Sequence, residues 1–88
     1  MSFAIEWELN SHVELDKLPK EVAIRILEKL DHAKDNLDHF TEKLIEMPEF
    51  KIRVGDYRII LLIDKARQKI KIQAVGHRKN IYKRYKTD

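Results

Sequence analysis

KIRVGDYRIILLID, Lys51 to Asp64, decides the fold. Gly55-Asp56 separates two largely apolar runs, the signal of a two-residue β-hairpin turn. Folding there sets Val54 opposite Tyr57, Arg53 opposite Arg58 and Ile52 opposite Ile59. Side chains alternate along a strand, so Phe50, Ile52, Val54, Tyr57, Ile59, Leu61 and Ile63 share one face and demand a cover. Lys51, Arg53, Arg58, Ile60 and Leu62 share the other, cationic near the turn and apolar further along. Directly opposed like charges destabilise a sheet by up to about 1 kcal/mol, and this face places two arginines side by side. A polyanion would relieve that repulsion, and a guanidinium fork grips phosphate oxygens well. Tyr57 to Ile63 is apolar almost throughout, as a central strand covered on both faces should be.

Upstream, FAIEWEL (3–9) alternates strictly, predicting a strand with one buried face. Ser11 and Glu14 have capping-box spacing, predicting a short helix that begins there and turns Leu15 and Leu18 inward. Pro19 suits the first turn of a second helix. Val22, Ala23, Ile26, Leu27, Leu30 and Ala33 form its apolar stripe, down to about Asp35. Residues 36–49 read as an irregular connector with a helical turn and a short extended piece, Pro48 marking its end. Downstream, Asp64 to Gln68 is a polar loop. Ile70, Ile72 and Ala74 then alternate with Lys69, Lys71 and Gln73 in a last long strand, ended by Gly76. Asn80 to Tyr85 suits a terminal helical turn with Ile81, Tyr82 and Tyr85 on its apolar side, able to cover Ile60 and Leu62. The expected architecture is α+β: a small antiparallel β-sheet, made of the N-terminal strand and a C-terminal three-strand meander, packed on an N-terminal α-helical hairpin. All 88 residues, 1–88, are expected to form one domain.

Composition narrows the chemistry. Cysteine is absent, which excludes disulfides, a thiol nucleophile and thiolate metal sites. With two glycines there is no phosphate-cradling loop. Ser2 and Ser11 cannot be assembled into a triad. His32, Asp35 or Asn36, and His39 have ligand spacing but read as a solvated helix end, so neither metal nor cofactor is expected. The N-terminus lacks a secretory signature and no apolar run approaches membrane length, so a cytoplasmic protein without membrane contact is expected. The net charge of +3 conceals a split: residues 1–49 sum to −6 and residues 50–88 to +9. Such a split reads either as a self-complementary surface or as a basic face for polyanions.

The candidate site follows from strand pairing. Lys51, Arg53 and Arg58 cluster beside the turn, and Gly76-His77-Arg78 ends the neighbouring strand. Arg78, His77, Tyr82 and Tyr85 then border the same face. Apart from Asp56 at the turn tip, no carboxylate lies near this set in sequence. Aromatic rings beside cations are what single-stranded RNA uses for stacking. Cleaving an RNA phosphodiester with its own 2′-hydroxyl needs a base, charge stabilisation and an acid. Arg58 and Arg78 suit the second task, usually the largest. Lys51, Tyr82 and His77 are the groups able to move protons. The plainer reading makes Lys51 and Arg53 exposed strand residues, and Tyr82 and Tyr85 covers for Ile60 and Leu62.

These residues carry a resemblance. FKIRVGDYRIILLID (50–64), IQAVGHRKNIY (72–82) and LPKEVAIRILEKL (18–30) resemble the RelE/ParE toxin superfamily over nearly the whole chain. The resemblance implies a ribosome-dependent, metal-independent endoribonuclease. It would cut mRNA in the decoding site, leave a 2′,3′-cyclic phosphate and a 5′-hydroxyl, and be neutralised by a RelB-like antitoxin. Contact with operator DNA would come through that antitoxin. By the same likeness Lys51 and Arg53 match the two basic strand residues of the nuclease branch. Arg58 matches the arginine after the turn, Arg78 the arginine after the Gly-x step, and Tyr82 the late tyrosine. The implied roles are a lysine base, arginines on the phosphate, and a tyrosine that stacks or assists proton transfer. His77 and Tyr85 stand beside them as candidates for proton transfer or stacking. Two departures matter: Arg53 replaces a lysine and cannot be a base, and His77 stands where lysine is common. The ParE branch implies a gyrase inhibitor without nuclease activity instead, and a noncatalytic RNA- or ribosome-binding module is the third reading.

Overall fold

The hairpin forms in the expected register. In the computed structural model, which describes residues 2–85, Phe50–Val54 (β3) pairs antiparallel with Tyr57–Asp64 (β4), Arg53 facing Arg58 and Val54 facing Tyr57. Residues 1 and 86–88 of the expected domain lie outside the described residues. Gly55 has φ +59°, and a positive φ at the first central position is what a type II′ hairpin turn requires. The other elements are Ala4–Trp7 (β1), Leu9–Asp16 (α1), Lys20–Ala33 (α2), Leu37–Phe40 (α3), Glu42–Lys43 (β2), Lys69–His77 (β5) and Arg78–Arg84 (α4). Among the described residues the sheet has five strands in the order β1-β5-β4-β3-β2.

The expected α+β layers are present, but the sheet is mixed: β1 pairs parallel with β5, Ile5 beside Ile70 and Trp7 beside Ile72. Parallel neighbours need a long crossover, and the whole chain between β1 and β5 supplies it. β1 stops at Trp7, and α1 takes over the exposed edge of β5. Glu8 N–H donates to the Ile72 carbonyl (3.1 Å), the Ser11 hydroxyl donates to the same carbonyl (2.9 Å), and Val75 N–H donates to Glu14 Oε1 (3.2 Å). Ser11 and Glu14 are therefore no capping box. The helix starts earlier, at Leu9, with Glu8 as an N-cap that makes no side-chain bond. The two side chains instead satisfy backbone groups on a strand edge that would otherwise be left open.

Helix α2 covers the first face of the sheet. Ile26, Leu30 and Ala33 are buried and pack with Ile52, Ile59, Leu61, Ile70, Ile72 and Val75 in the main core. Val22 and Ala23 are half-buried, while Leu27, expected in the stripe, is 47% exposed at its margin. The helix runs from the β3–β4 turn, where Arg25 lies over Gly55, to the start of β1, where Phe3 N–H donates to the Lys34 carbonyl (3.1 Å).

One parity expectation fails. Ala74 was expected beside Ile70 and Ile72, but the β4–β5 register slips between Ile60 and Leu61, so that Ile60 faces Ala74 and Leu61 faces Ile72. Gln73 is the extra residue, a β-bulge that flips every later side chain of β5. Val75 therefore enters the main core, whereas Ala74 joins Leu44, Ile60 and Ile81 in a second cluster on the opposite face. This cluster is the expected terminal cover for Ile60, whereas Leu62, also expected beneath it, stays half-buried outside. Ile81 of α4 lies 3.6 Å from where a Cβ on Gly76 would stand, and Tyr85 and Met47 close its rim.

Candidate nucleic-acid interface

The cations reach one face because strand parity puts them there. Arg53, Arg58 and Gly76 form one row across β3, β4 and β5; Glu42, Lys51, Ile60 and Ala74 form the next, starting on β2. Arg78 follows β5 directly, and its N–H donates to the Asp56 carbonyl at 2.8 Å, tying the start of α4 to the hairpin turn. Arg58 is tied to the same turn: its Nη1 donates to the carbonyls of Gly55 (2.8 Å) and Tyr57 (2.9 Å). The expected gathering of residues 53, 58 and 78 around one turn is thus present in the backbone and register.

Its texture differs from the expectation. Arg58 is only 4% exposed and Lys51 only 6%, so neither waves in solvent. Hydrogen bonds to a charged donor contribute about 1.5–3 kcal/mol, so the two carbonyls hold the Arg58 guanidinium in one orientation. Its Nε has no hydrogen-bond partner among the described residues, an open donor in a buried cation. Arg53 is exposed and lies 3.6 Å from Glu42. That carboxylate reaches the set through space from outside its neighbourhood in sequence. It was hidden because β2 is two residues long, inside a connector without periodicity.

Helix α4 carries the aromatic border. Tyr82 follows Arg78 by four residues, so both lie on one side of the helix. Tyr82 is half-buried and stays outside the second cluster, whereas Tyr85 packs into it. His77 caps the helix, Nδ1 accepting from Lys79 N–H (3.2 Å), and its ring meets Tyr57 edge-on at 5.5 Å. Any proton transfer by His77 therefore falls to Nε2. Arg84 pairs with Glu14, which fastens the far end of α4 to α1. Burial opposes the charge of Arg84, but the hydrogen bond and charge of Glu14 outweigh it and raise its pKa above the usual guanidinium value. The His32–Asp35–His39 spacing produces no metal-holding group among the described residues, and no helix among them is long and apolar enough to cross a membrane.

Comparison with known proteins agrees with this architecture. Residues 5–82 match the family model of the ParE toxin of the type II toxin–antitoxin system parDE. The toxin–antitoxin complex RelBE2 from Mycobacterium tuberculosis superposes with a TM-score of 0.82 at 20% identity, covering 88% of this chain and 99% of that one. Free RelE toxin from E. coli, in a variant with two arginines replaced by alanine, gives 0.80 at 20% identity over 97% and 95% of the two chains. The archaeal RelE–RelB complex from Pyrococcus horikoshii gives 0.74 at 26% identity over 89% and 97%. No curated protein matches the chain significantly in sequence. With a family model spanning most of its length, the chain belongs to the ParE toxin family of type II toxin–antitoxin systems, and its fold is the one seen in RelE toxins.

Proposed function

We propose that this toxin is an endoribonuclease that cleaves mRNA on the ribosome and so inhibits translation. The observation that carries the proposal is the arginine arrangement at the hairpin turn: Arg58 held by two carbonyls beside Arg53, and Arg78 tethered to Asp56. Fixed donors aimed at developing charge need no reorganisation in the transition state. In this reading the 2′-hydroxyl attacks the adjacent phosphorus and the 5′-oxygen leaves, giving a 2′,3′-cyclic phosphate without a metal. Arg58 and Arg78 stabilise the phosphorane and Arg53 holds the phosphate. Lys51 takes the proton, Tyr82 stacks on the base, and His77 or Tyr85 completes proton transfer or stacking. A RelB-like antitoxin neutralises the toxin in the cytoplasm, and operator DNA is reached only through that partner. The superposed RelB–RelE complexes support the antitoxin.

Induced Arg58→Ala/Arg78→Ala toxin tests the reading. Mapping message ends after induction should show cleavage reduced at least about 100-fold, the loss typical of removing one fixed oxyanion donor, with antitoxin binding intact. Full toxicity of the double variant would remove the catalytic reading. One observation favours a second: the matched family model is that of ParE. A ParE-like gyrase inhibitor would leave messages whole and accumulate broken, topoisomerase-linked DNA.

A further inference from the structure

The hairpin turn has cations on its helix side as well. Where α2 passes the end of β3, a cleft of about 280 Å³ is lined by Arg25, Glu28, Lys29, His32, Arg53 and Gly55. Arg25, Lys29 and His32 stand at i, i+4 and i+7 and therefore share one face of α2. Arg25 and Lys29 are separated by about 6 Å of helix rise, enough to meet different anionic groups rather than crowd one. The Arg25 guanidinium lies directly over the turn: its Nη2 is 3.0 Å from where a Cβ on Gly55 would stand. Gly55 is favoured by its φ of +59°, and a side chain there would push the end of Arg25 aside. Arg58 holds the same glycine from its carbonyl, so guanidinium groups bracket the turn.

This cationic stripe lies in the acidic half of the chain. Elsewhere in that half, Lys34 is matched by Asp31 at 2.9 Å, whereas Arg25 and Lys29 face Arg53 across the cleft with Glu28 as the one lining carboxylate. The cleft is continuous with the sheet patch, because Arg53 belongs to both. Among the described strands β2 pairs with β3 only at Phe50 and Lys51, and the margin of β3 at Arg53 and Val54 joins the one region to the other. An acidic protein segment would find the same charges, but a strand of repeating phosphates crossing the Arg53–Arg58 row leads into the cleft without changing partner chemistry.

Resting on the nuclease reading above, we propose that the cleft between α2 and the β3–β4 turn binds an RNA backbone phosphate that flanks the cleaved bond, with Arg25 and Lys29 as its ligands. The test is a salt titration of a 2′-O-methyl RNA oligonucleotide, which cannot be cleaved, against the wild-type toxin and Arg25→Ala/Lys29→Ala. Each single-strand phosphate contact contributes about 0.7 to the slope of log K against log salt, so the variant should lose about 0.7–1.4 of that slope. Glu28→Gln should tighten binding. Gly55→Ala, which displaces Arg25, should mimic part of the double variant's loss. Repeating the titration on ribosomes separates the two sources of phosphate: loss on the oligonucleotide supports the proposal, and loss on ribosomes alone overturns it by assigning the contact to ribosomal RNA. An unchanged slope in both arms overturns the proposal, and does so decisively if the same variant weakens the antitoxin complex. Failure of the nuclease reading looks different: wild-type toxin then binds RNA with the full slope and cuts no message.

Discussion

The two faces of the sheet are built to different standards. The face under α2 is apolar from edge to edge: Ile52, Ile59, Leu61, Ile70 and Ile72 are all 0% exposed. The opposite face is divided. Ile60, Ala74, Ile81 and Leu44 make a small dry cluster, and beside it Lys51 and Arg58 are buried with their charges. Burying a cation is costly unless it is paired or hydrogen-bonded. The first face is held by apolar packing, whereas on the second the Arg58 guanidinium is offset by hydrogen bonds to the carbonyls of Gly55 and Tyr57. On the nuclease reading an anionic ligand adds to that compensation.

Truncation should expose that difference most strongly in the main core. Ile59→Ala is expected to cost about 2–5 kcal/mol, because the sheet and α2 fix the surrounding side chains and cannot close the cavity. Ile81→Ala removes a side chain equally hidden, at 1% exposure, yet it sits on a helix of seven residues that can shift into the space. Its cost should fall at or below the lower end of the same range, with fast hydrogen exchange confined to α4. Denaturant unfolding and amide exchange on both variants check this. Equal costs and global exchange for both would mean that the second cluster is as integral as the first.

A smaller effect tests the seam between the faces. Ser11→Ala removes one of two donors on the Ile72 carbonyl while Glu8 N–H remains, so unfolding free energy should drop by about 1 kcal/mol. A helix-capping role would give a similar loss, but it would appear as fraying at Leu9. Loss of edge satisfaction would appear as faster exchange along β5 near Val75.

What the sequence made legible follows from how local each signal is. The turn at Gly55, the register of β3 on β4 and the two-faced pattern of Phe50 to Ile63 depend on neighbours in the chain, and the observed pairing matches residue by residue. The cations at 53, 58 and 78 were found together because register alone brings them there. Long-range facts were not legible. Ser11 shares its hydroxyl with the Glu8 carbonyl three residues back, and nothing near Ser11 or Glu14 shows that each also meets a group 61 residues away on β5. Alternation through Gln73 looks unbroken, and only the demand to put Val75 under α2 and Ala74 under Ile81 produces the bulge. Nothing in the helix pattern singles out Arg25, because its neighbour is a turn 30 residues on. Glu42 escaped because a two-residue strand has no period to detect.

Glu42 also offers the finest test of the divided face. Its ion pair with Arg53 spans 3.6 Å between side chains half exposed or more, and such pairs contribute about 0–1 kcal/mol. Glu42→Gln should therefore leave unfolding almost unchanged. On the nuclease reading its effect belongs to recognition: without RNA the carboxylate relieves repulsion beside Lys51 and Arg53, and with RNA it competes with phosphate for the same cations. Removing it should tighten RNA binding and steepen the salt dependence while single-turnover cleavage at saturating RNA stays within a few-fold of wild type. Unchanged binding would place the phosphate path away from β2. Tighter binding with cleavage reduced 100-fold or more would make Glu42 the proton acceptor and move Lys51 into the role of phosphate ligand. On either outcome this one exposed residue reports which side chains of the second face do chemistry and which only hold the strand.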